Sequence, residues 1–212
     1  MAEKKLGYED AYSLKTPEDS IKLYKKWAGT YDEDFAINSK YLSPKKISNL
    51  FNKHARNTDT PILDVGAGTG LVGEFLYNTG NKKIIGIDIS SEMLKQAKTK
   101  GCYSSLMEAD VTKKISLKNN SIGAVVSAGT FTHGHVGPDA LDELLRIVKP
   151  GGLFVLSINS KVFMKGGFHE KFLKIKNSIS VPTFNEFNAH GKNKDGKFSD
   201  IKLFASIFRK KF

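Results

Sequence analysis

Residues 62–71 read Ile62-Leu63-Asp64-Val65-Gly66-Ala67-Gly68-Thr69-Gly70-Leu71, and about twenty residues on comes Ile84-Ile85-Gly86-Ile87-Asp88. The first stretch is a short apolar run that breaks into glycines; the second is an apolar run that ends in one carboxylate. Short apolar runs bounded by glycines read as buried parallel strands. Glycines at the carboxyl end of such a strand let the chain turn sharply and bring bare backbone up to a ligand. An acid at the tip of the next strand accepts hydrogen bonds from both hydroxyls of a ribose. Together the two stretches describe a pocket for an adenosine-bearing cofactor.

The glycine spacing narrows the choice. A dinucleotide fingerprint needs G-x-G-x-x-G, its third glycine packing the helix that holds the pyrophosphate. Here the order is Gly66-x-Gly68-x-Gly70, and Leu71 stands where that third glycine belongs. A phosphate-binding P-loop ends in Gly-Lys-Ser/Thr, whereas this chain continues Gly70-Leu71-Val72.

Outward from these motifs the chain alternates. Strands are expected at 62–65, 83–88, 103–107, 122–127 and 152–158, with helices at 71–78, 90–100 and 138–148 between them. Such alternation predicts a parallel sheet with crossover helices on both faces. Upstream, Thr16-Pro17-Glu18-Asp19 and Ser43-Pro44 announce two helices through a capping hydroxyl and a proline in the first turn. The first carries Ile21, Tyr24 and Trp27 on one side; the second carries Ile47, Leu50, Phe51 and His54, the histidine reading as a packing residue. Met1–Lys15 reads as a loosely held arm. Downstream, 168–175 reads as a short helix, and 184–189 and 202–208 as the strands of a hairpin.

Composition agrees with one domain. The chain has 212 residues, 40% hydrophobic and 26% charged, enough for a sizeable core. The start at Met1 without an apolar leader, and the lone Cys102, lead us to expect a cytoplasmic protein with no internal disulfide and no membrane anchor. Cys102 reads as a buried residue at the start of the third strand. The net charge is +11, with much of the excess beyond residue 160. That excess reads either as a footprint for an anionic partner such as nucleic acid or as lysines on a solvated surface.

Asp64-Val65-Gly66-Ala67-Gly68-Thr69-Gly70 with Asp88 resembles motif I and the ribose carboxylate of the class I S-adenosylmethionine-dependent methyltransferases. Glu108-Ala109-Asp110 and the turn Arg146-Ile147-Val148-Lys149-Pro150-Gly151-Gly152 resemble further segments of that family, and Tyr24-x-x-Trp27-x-x-x-Tyr31-Asp32 its N-terminal lid helix. The relatives that stand nearest are similar to the Williams–Beuren-region methyltransferase. The resemblance implies an α/β Rossmann-like fold, a seven-stranded, mostly parallel sheet with an antiparallel C-terminal hairpin. It divides the chain into an arm and helical lid over 1–60 and a cofactor-binding core over 61–212.

The resemblance also implies the site. Gly66, Ala67, Gly68, Gly70 and Leu71 would bring backbone to the methionine portion of S-adenosylmethionine, and Asp88 would take the ribose. Ile89 and Met93 would cover the adenine face, with Asp110 and the amide of Val111 at its edge. Asp110 reads alternatively as a helix cap. Ala128 follows the fourth strand, and Trp27 and Tyr31 either contact cofactor from the lid or serve as core aromatics. Asp64 reads as an acceptor for the amides of the glycine loop.

Ser127-Ala128-Gly129-Thr130-Phe131-Thr132-His133-Gly134-His135-Val136 reads as the loop after strand four. There His133 or His135, with a pKa near ~6.5, suits a base that takes a proton from the methyl acceptor, His133 preferred because it lies nearer the strand end. Both histidines read alternatively as residues that only shape the pocket. No metal is expected, since His-x-His without a nearby carboxylate or cysteine is an incomplete ligand set. The loop lacks the Asn/Asp-Pro-Pro-Tyr/Phe and Pro-Cys motifs of amino and cytosine-C5 methyltransferases. A small-molecule acceptor (O, S or carboxyl) is therefore expected, from a monomer or homodimer that releases S-adenosylhomocysteine. RNA methylation through the basic tail and cofactor binding without transfer stand as alternatives.

Overall fold

The computed structural model describes Leu6, Asp10, Leu14 and residues 16–193 and 195–212. The arm expected over Met1–Lys15 otherwise lies outside the described residues. Helix α1, Pro17–Trp27, starts as its sequence requires: Thr16 Oγ1 accepts from the Asp19 amide and the Asp19 carboxylate accepts from the Thr16 amide, each at 3.1 Å. This reciprocal cap satisfies two otherwise orphaned donors, and such a cap residue is worth about 1 kcal/mol. A six-residue π-helix, Asp32–Ile37, follows, which the sequence did not announce. Helix α2 spans Ser43–His54. His54, expected to pack, is exposed in its last turn.

The alternating part then runs β1 Ile62–Val65, α3 Leu71–Asn78, β2 Ile84–Asp88, α4 Ser91–Thr99, β3 Ser105–Glu108, β4 Ile122–Phe131, α5 Ala140–Ile147 and β5 Val148–Asn159. Cys102 is buried, as expected, but precedes β3 rather than opening it. Two helices, α6 Ser160–Lys165 and α7 Phe168–Lys174, lead to β6 Thr183–Asn188 and β7 Lys202–Arg209. Helix α6 is absent from the sequence reading, although Asn159 caps it by accepting from the Lys161 amide at 3.0 Å.

The seven strands form one sheet in the order β3-β2-β1-β4-β5-β7-β6. β1 to β5 pair in parallel, and β7 runs antiparallel to both of its neighbours. Side chains alternate across it. Leu63, Val65, Val125, Phe131, Phe154 and Leu156 pack on one face with Leu141, Leu144, Phe163 and Phe168. Ile62, Ile84, Ala124, Val126 and Val155 pack on the other with Ile47, Phe51, Val72 and Leu76. Each such fully buried side chain contributes about 1.5–3 kcal/mol relative to exposure. Helix α2 packs beneath the sheet, and α1 lies over its carboxyl end.

β4 runs past its expected end at Ser127. The ladder pairs Ser127 with Leu156 and Phe131 with Ile158, so four residue steps on β4 match two on β5. This bulge holds Gly129 at φ 86°, a left-handed conformation that glycine adopts without strain. Its amide donates to Ser157 Oγ at 3.0 Å. The first half of the stretch read as a loop after strand four, up to Phe131, is thus strand, and 132–136 form the turn that follows.

Candidate active site

The glycine loop, the tips of β2 and β4 and the inner face of α1 enclose a cleft of about 820 Å3, counted to its open side. Gly66, at φ 67°, belongs to its floor, and a Cβ there would lie 2.0 Å from Thr130 Oγ1. Only a bare backbone fits that approach.

Asp88 is the chief acceptor. One of its oxygens accepts from the Gly68 amide at 2.8 Å and the other from the Ser90 amide at 2.9 Å. The carboxylate keeps further acceptor capacity, and the residue lines the cleft. Burial pushes its pKa up, against the backbone amides of Ser90, Gly68 and Ile89. Ser90 Oγ in turn caps α4 through the Met93 amide at 3.3 Å, which sets Met93 in the wall. Ile89, Met93 and Val111 give that end an apolar lining. Asp110 also lines it, but its Oδ1 is engaged by the amide and hydroxyl of Thr112 at 2.9 and 2.6 Å. Although burial acts to raise the Asp110 pKa, Thr112 and Lys113 hold it below the ordinary carboxylate range.

Of the remaining expected residues, Gly68, Ala128 and Tyr31 line the cleft. Ala67, Gly70, Leu71 and Trp27 do not. Gly70 is the N-cap of α3 and Leu71 its first residue, while Ala67 donates its amide to the Ile87 carbonyl at 2.9 Å. Trp27 is buried inside the lid, edge-on to Tyr31 and Phe35 at 5.2 and 5.7 Å. Asp64 differs most from its reading as an acceptor for the glycine-loop amides. Strand alternation sends it to the α2–α3 face, where it accepts from the Tyr103 hydroxyl at 2.7 Å.

Burial raises the Asp64 pKa from 3.8 to about 7, against the Tyr103 hydroxyl and the Gly73 amide and with help from Asp88. The folded chain therefore keeps a proton that the unfolded chain gives up. Stability should fall as pH rises from about 4 to 7 and then level off. We expect Asp64→Asn to be close to neutral at pH 5 and to raise the melting temperature at pH 8. Thermal denaturation at both values checks this, and a variant effect independent of pH contradicts it.

The two histidines separate. His133 is exposed and borders an outer groove with Lys161 and Lys165. His135 lines the cleft, which reverses the preference for His133: the bulged strand and the turn after it carry the later histidine inward. The His133 carbonyl can only accept, so its 3.0 Å contact with His135 Nδ1 puts the imidazole proton on Nδ1. Nε2 is then the free lone pair, and the Tyr24 hydroxyl donates to it at 3.1 Å. Burial pushes the His135 pKa below 6.5 and outweighs the His133 carbonyl, so the ring is neutral at pH 7. Tyr24, Ser20 and Thr130 line the cleft without having been singled out as site residues. For Tyr24 the available signal was its spacing from Trp27 and Tyr31 along one helical side.

The lid is tied to the glycine loop from outside. Thr69 donates to Asp32, and Lys100 bridges Asp32 at 2.8 Å and Glu74 at 3.3 Å. Among the described residues no group of three or more His, Cys, Asp or Glu could hold a metal ion, and no helix is long and apolar enough to cross a membrane.

Residues 63–156 match the model of the methyltransferase domain. A chain from the Haloferax volcanii complex that contains the Trm112 methyltransferase activator superposes with a TM-score of 0.68 at 18% identity, covering 91% of this chain and 97% of that one. A SAM-dependent methyltransferase from Aquifex aeolicus superposes with a TM-score of 0.59 at 18% identity, over 87% and 98% of the two chains. The fold is that of the class I methyltransferases. By sequence, human methyltransferase-like protein 27 is 30% identical over 150 residues, which cover 69% of this chain and 60% of that protein.

S-adenosylmethionine is the cofactor of class I methyltransferases, and the cleft fits it. Asp88 retains acceptor capacity for a ribose diol. The wall contains Asp88, Asp110 and the rings of Tyr24 and Tyr31, and among the described residues neither lysine nor arginine. In a chain of net charge +11, such a wall favours a cation such as a sulfonium and disfavours a pyrophosphate.

Proposed function

We propose that the protein transfers a methyl group from S-adenosylmethionine to oxygen, sulfur or carboxyl of a small molecule. The cleft wall of carboxylates and aromatic rings, with neither lysine nor arginine among its described residues, is the observation that carries the reading. When bound, S-adenosylmethionine supplies a methyl group on a positively charged sulfur. The chain's part is to hold and align, which is worth much in a displacement that needs an ordered pair of reactants. Asp88 holds the ribose, the Gly66–Gly68 backbone approaches the methionine portion, and Ile89, Met93 and Val111 enclose the base. Helix α1 with the π-helix closes over them as a lid. His135 Nε2 takes the proton that the acceptor loses. The aromatic run of α1 supports a place near the Williams–Beuren-region relatives.

Part of the basic tail's charge is paired within the fold. Arg209 is paired with Asp59 at 2.9 Å, Lys171 with Asp142 at 2.6 Å and Lys202 with Glu186 at 3.8 Å. These cations have partners within the fold.

Calorimetry with S-adenosylhomocysteine and with NAD+ tests the cofactor assignment. The first should bind at micromolar concentration or tighter and the second should give no heat. Saturable NAD+ binding without S-adenosylhomocysteine binding sinks the proposal. Incubation of cofactor with metabolite extract should then yield a product heavier by one methylene, and tight binding with no such product favours a non-catalytic role.

A further inference from the structure

Beside the cofactor cleft is a second, smaller chamber that shares Tyr24, Tyr31, Gly129 and His135 with it. Phe35, Tyr41, Phe131 and Leu203 complete its apolar walls. The rings meet edge to face or stacked: Tyr31 lies over Phe35 at 4.9 Å, and Tyr41 stands edge-on to Phe35 at 5.0 Å. Its lining holds no Asp, Glu, Lys or Arg among the described residues.

Besides the tyrosine hydroxyls, the lining carries the polar side chains of Thr132, Ser157 and His135. Thr132 is 8% exposed, and its Oγ1 is fully buried without a hydrogen-bond partner. Ser157 Oγ is buried and accepts from the Gly129 amide, so its own proton remains to be donated. On the cleft side stands His135, with Nε2 as acceptor. Gly129 keeps the passage tight, since a Cβ there would lie 2.6 Å from the Tyr41 hydroxyl.

We propose that this chamber is the acceptor site, and that the acceptor is a small, uncharged aromatic compound bearing a hydroxyl. The inference rests on the methyltransferase reading above. Flat aromatic surroundings select a ring by edge-to-face and stacked contacts. The absence of charged lining excludes a carboxylate or ammonium, which would be desolvated without a counter-ion. Thr132 fills its missing bond by donating to the acceptor oxygen. The acceptor hydroxyl replaces Tyr24 as the donor to His135 Nε2. In the transfer, the acceptor oxygen forms its bond to the methyl carbon as the carbon–sulfur bond breaks. The bonding pair stays on sulfur, which becomes an uncharged thioether. The acceptor's proton passes to Nε2.

The test is binding, read by ligand-detected NMR on protein saturated with S-adenosylhomocysteine. The probes are 4-methylphenol, toluene, 4-hydroxybenzoate and tyramine. We expect 4-methylphenol to bind and both charged probes to bind at least about tenfold more weakly. Thr132→Val, which keeps the shape and removes the hydroxyl, should weaken 4-methylphenol about fivefold and leave toluene and S-adenosylhomocysteine unchanged. Should that variant fail to fold, Ser157→Ala gives the same comparison. Equal binding of a charged probe, or equal losses for toluene and 4-methylphenol, overturns the assignment. Bound S-adenosylhomocysteine with no probe bound overturns this inference alone. No binding of S-adenosylhomocysteine overturns the parent reading and this one together.

Discussion

His135→Gln is expected to lower kcat by about 10²–10⁴-fold, the range that a positioned general base contributes. Glutamine retains a polar group of similar reach, but it cannot take up a proton. The wild-type imidazole is prepared for that task by its surroundings. The His133 carbonyl occupies Nδ1–H at 3.0 Å and fixes the tautomer, so Nε2 carries the lone pair. Burial keeps the ring neutral by lowering its pKa below 6.5. Turnover of wild-type protein should therefore stay level down to about pH 6.5 and fall only below it. The variant should lose that acid limb, with a KM for cofactor changed much less than kcat. A variant with wild-type kcat, or with an unaltered pH profile, removes His135 from the chemistry.

Asp88→Ala should weaken S-adenosylhomocysteine binding about 10- to 150-fold, corresponding to ~1.5–3 kcal/mol for hydrogen bonds to a charged group. Two losses add here. The ribose loses its acceptor, and the Gly68 and Ser90 amides, now held at 2.8 and 2.9 Å, lose theirs. Asp88→Asn keeps one acceptor oxygen and should fall between alanine and wild type. Because burial raises the Asp88 pKa, wild-type affinity should also decline as the solution is made acidic, and the alanine variant should not follow. Calorimetry across pH decides both points; a dissociation constant unchanged in Asp88→Ala contradicts the ribose assignment.

What the sequence disclosed was local. β1 and α3 have the expected bounds because glycines punctuate a short apolar run with no competing pattern. Helix α1 begins where Thr16 and Asp19 cap each other. The placement of Asp88 in the cleft followed from strand alternation plus a turn. Asp64 illustrates the limit: its role depends on Tyr103, thirty-nine positions away, and no local pattern connects the two. Trp27 and His54 show the same limit in opposite directions, one sealed inside the lid and the other left in solvent. The π-helix and the exchange of His133 for His135 go with tertiary packing, the first with that of Phe35 against Trp27, Tyr41 and His190 and the second with the β4 bulge.

That bulge has a consequence for how the acceptor chamber tolerates changes of length. Its surplus on β4 is an even number of positions, so Phe131 returns to the same side of the sheet as Val125. Excising Gly129 alone would invert the parity and turn Phe131 out of the hydrophobic layer and Thr132 out of the chamber. Excising a pair of residues would shorten the wall yet keep every later side chain on its own side. Insertions and deletions that preserve a working enzyme should therefore occur here in twos.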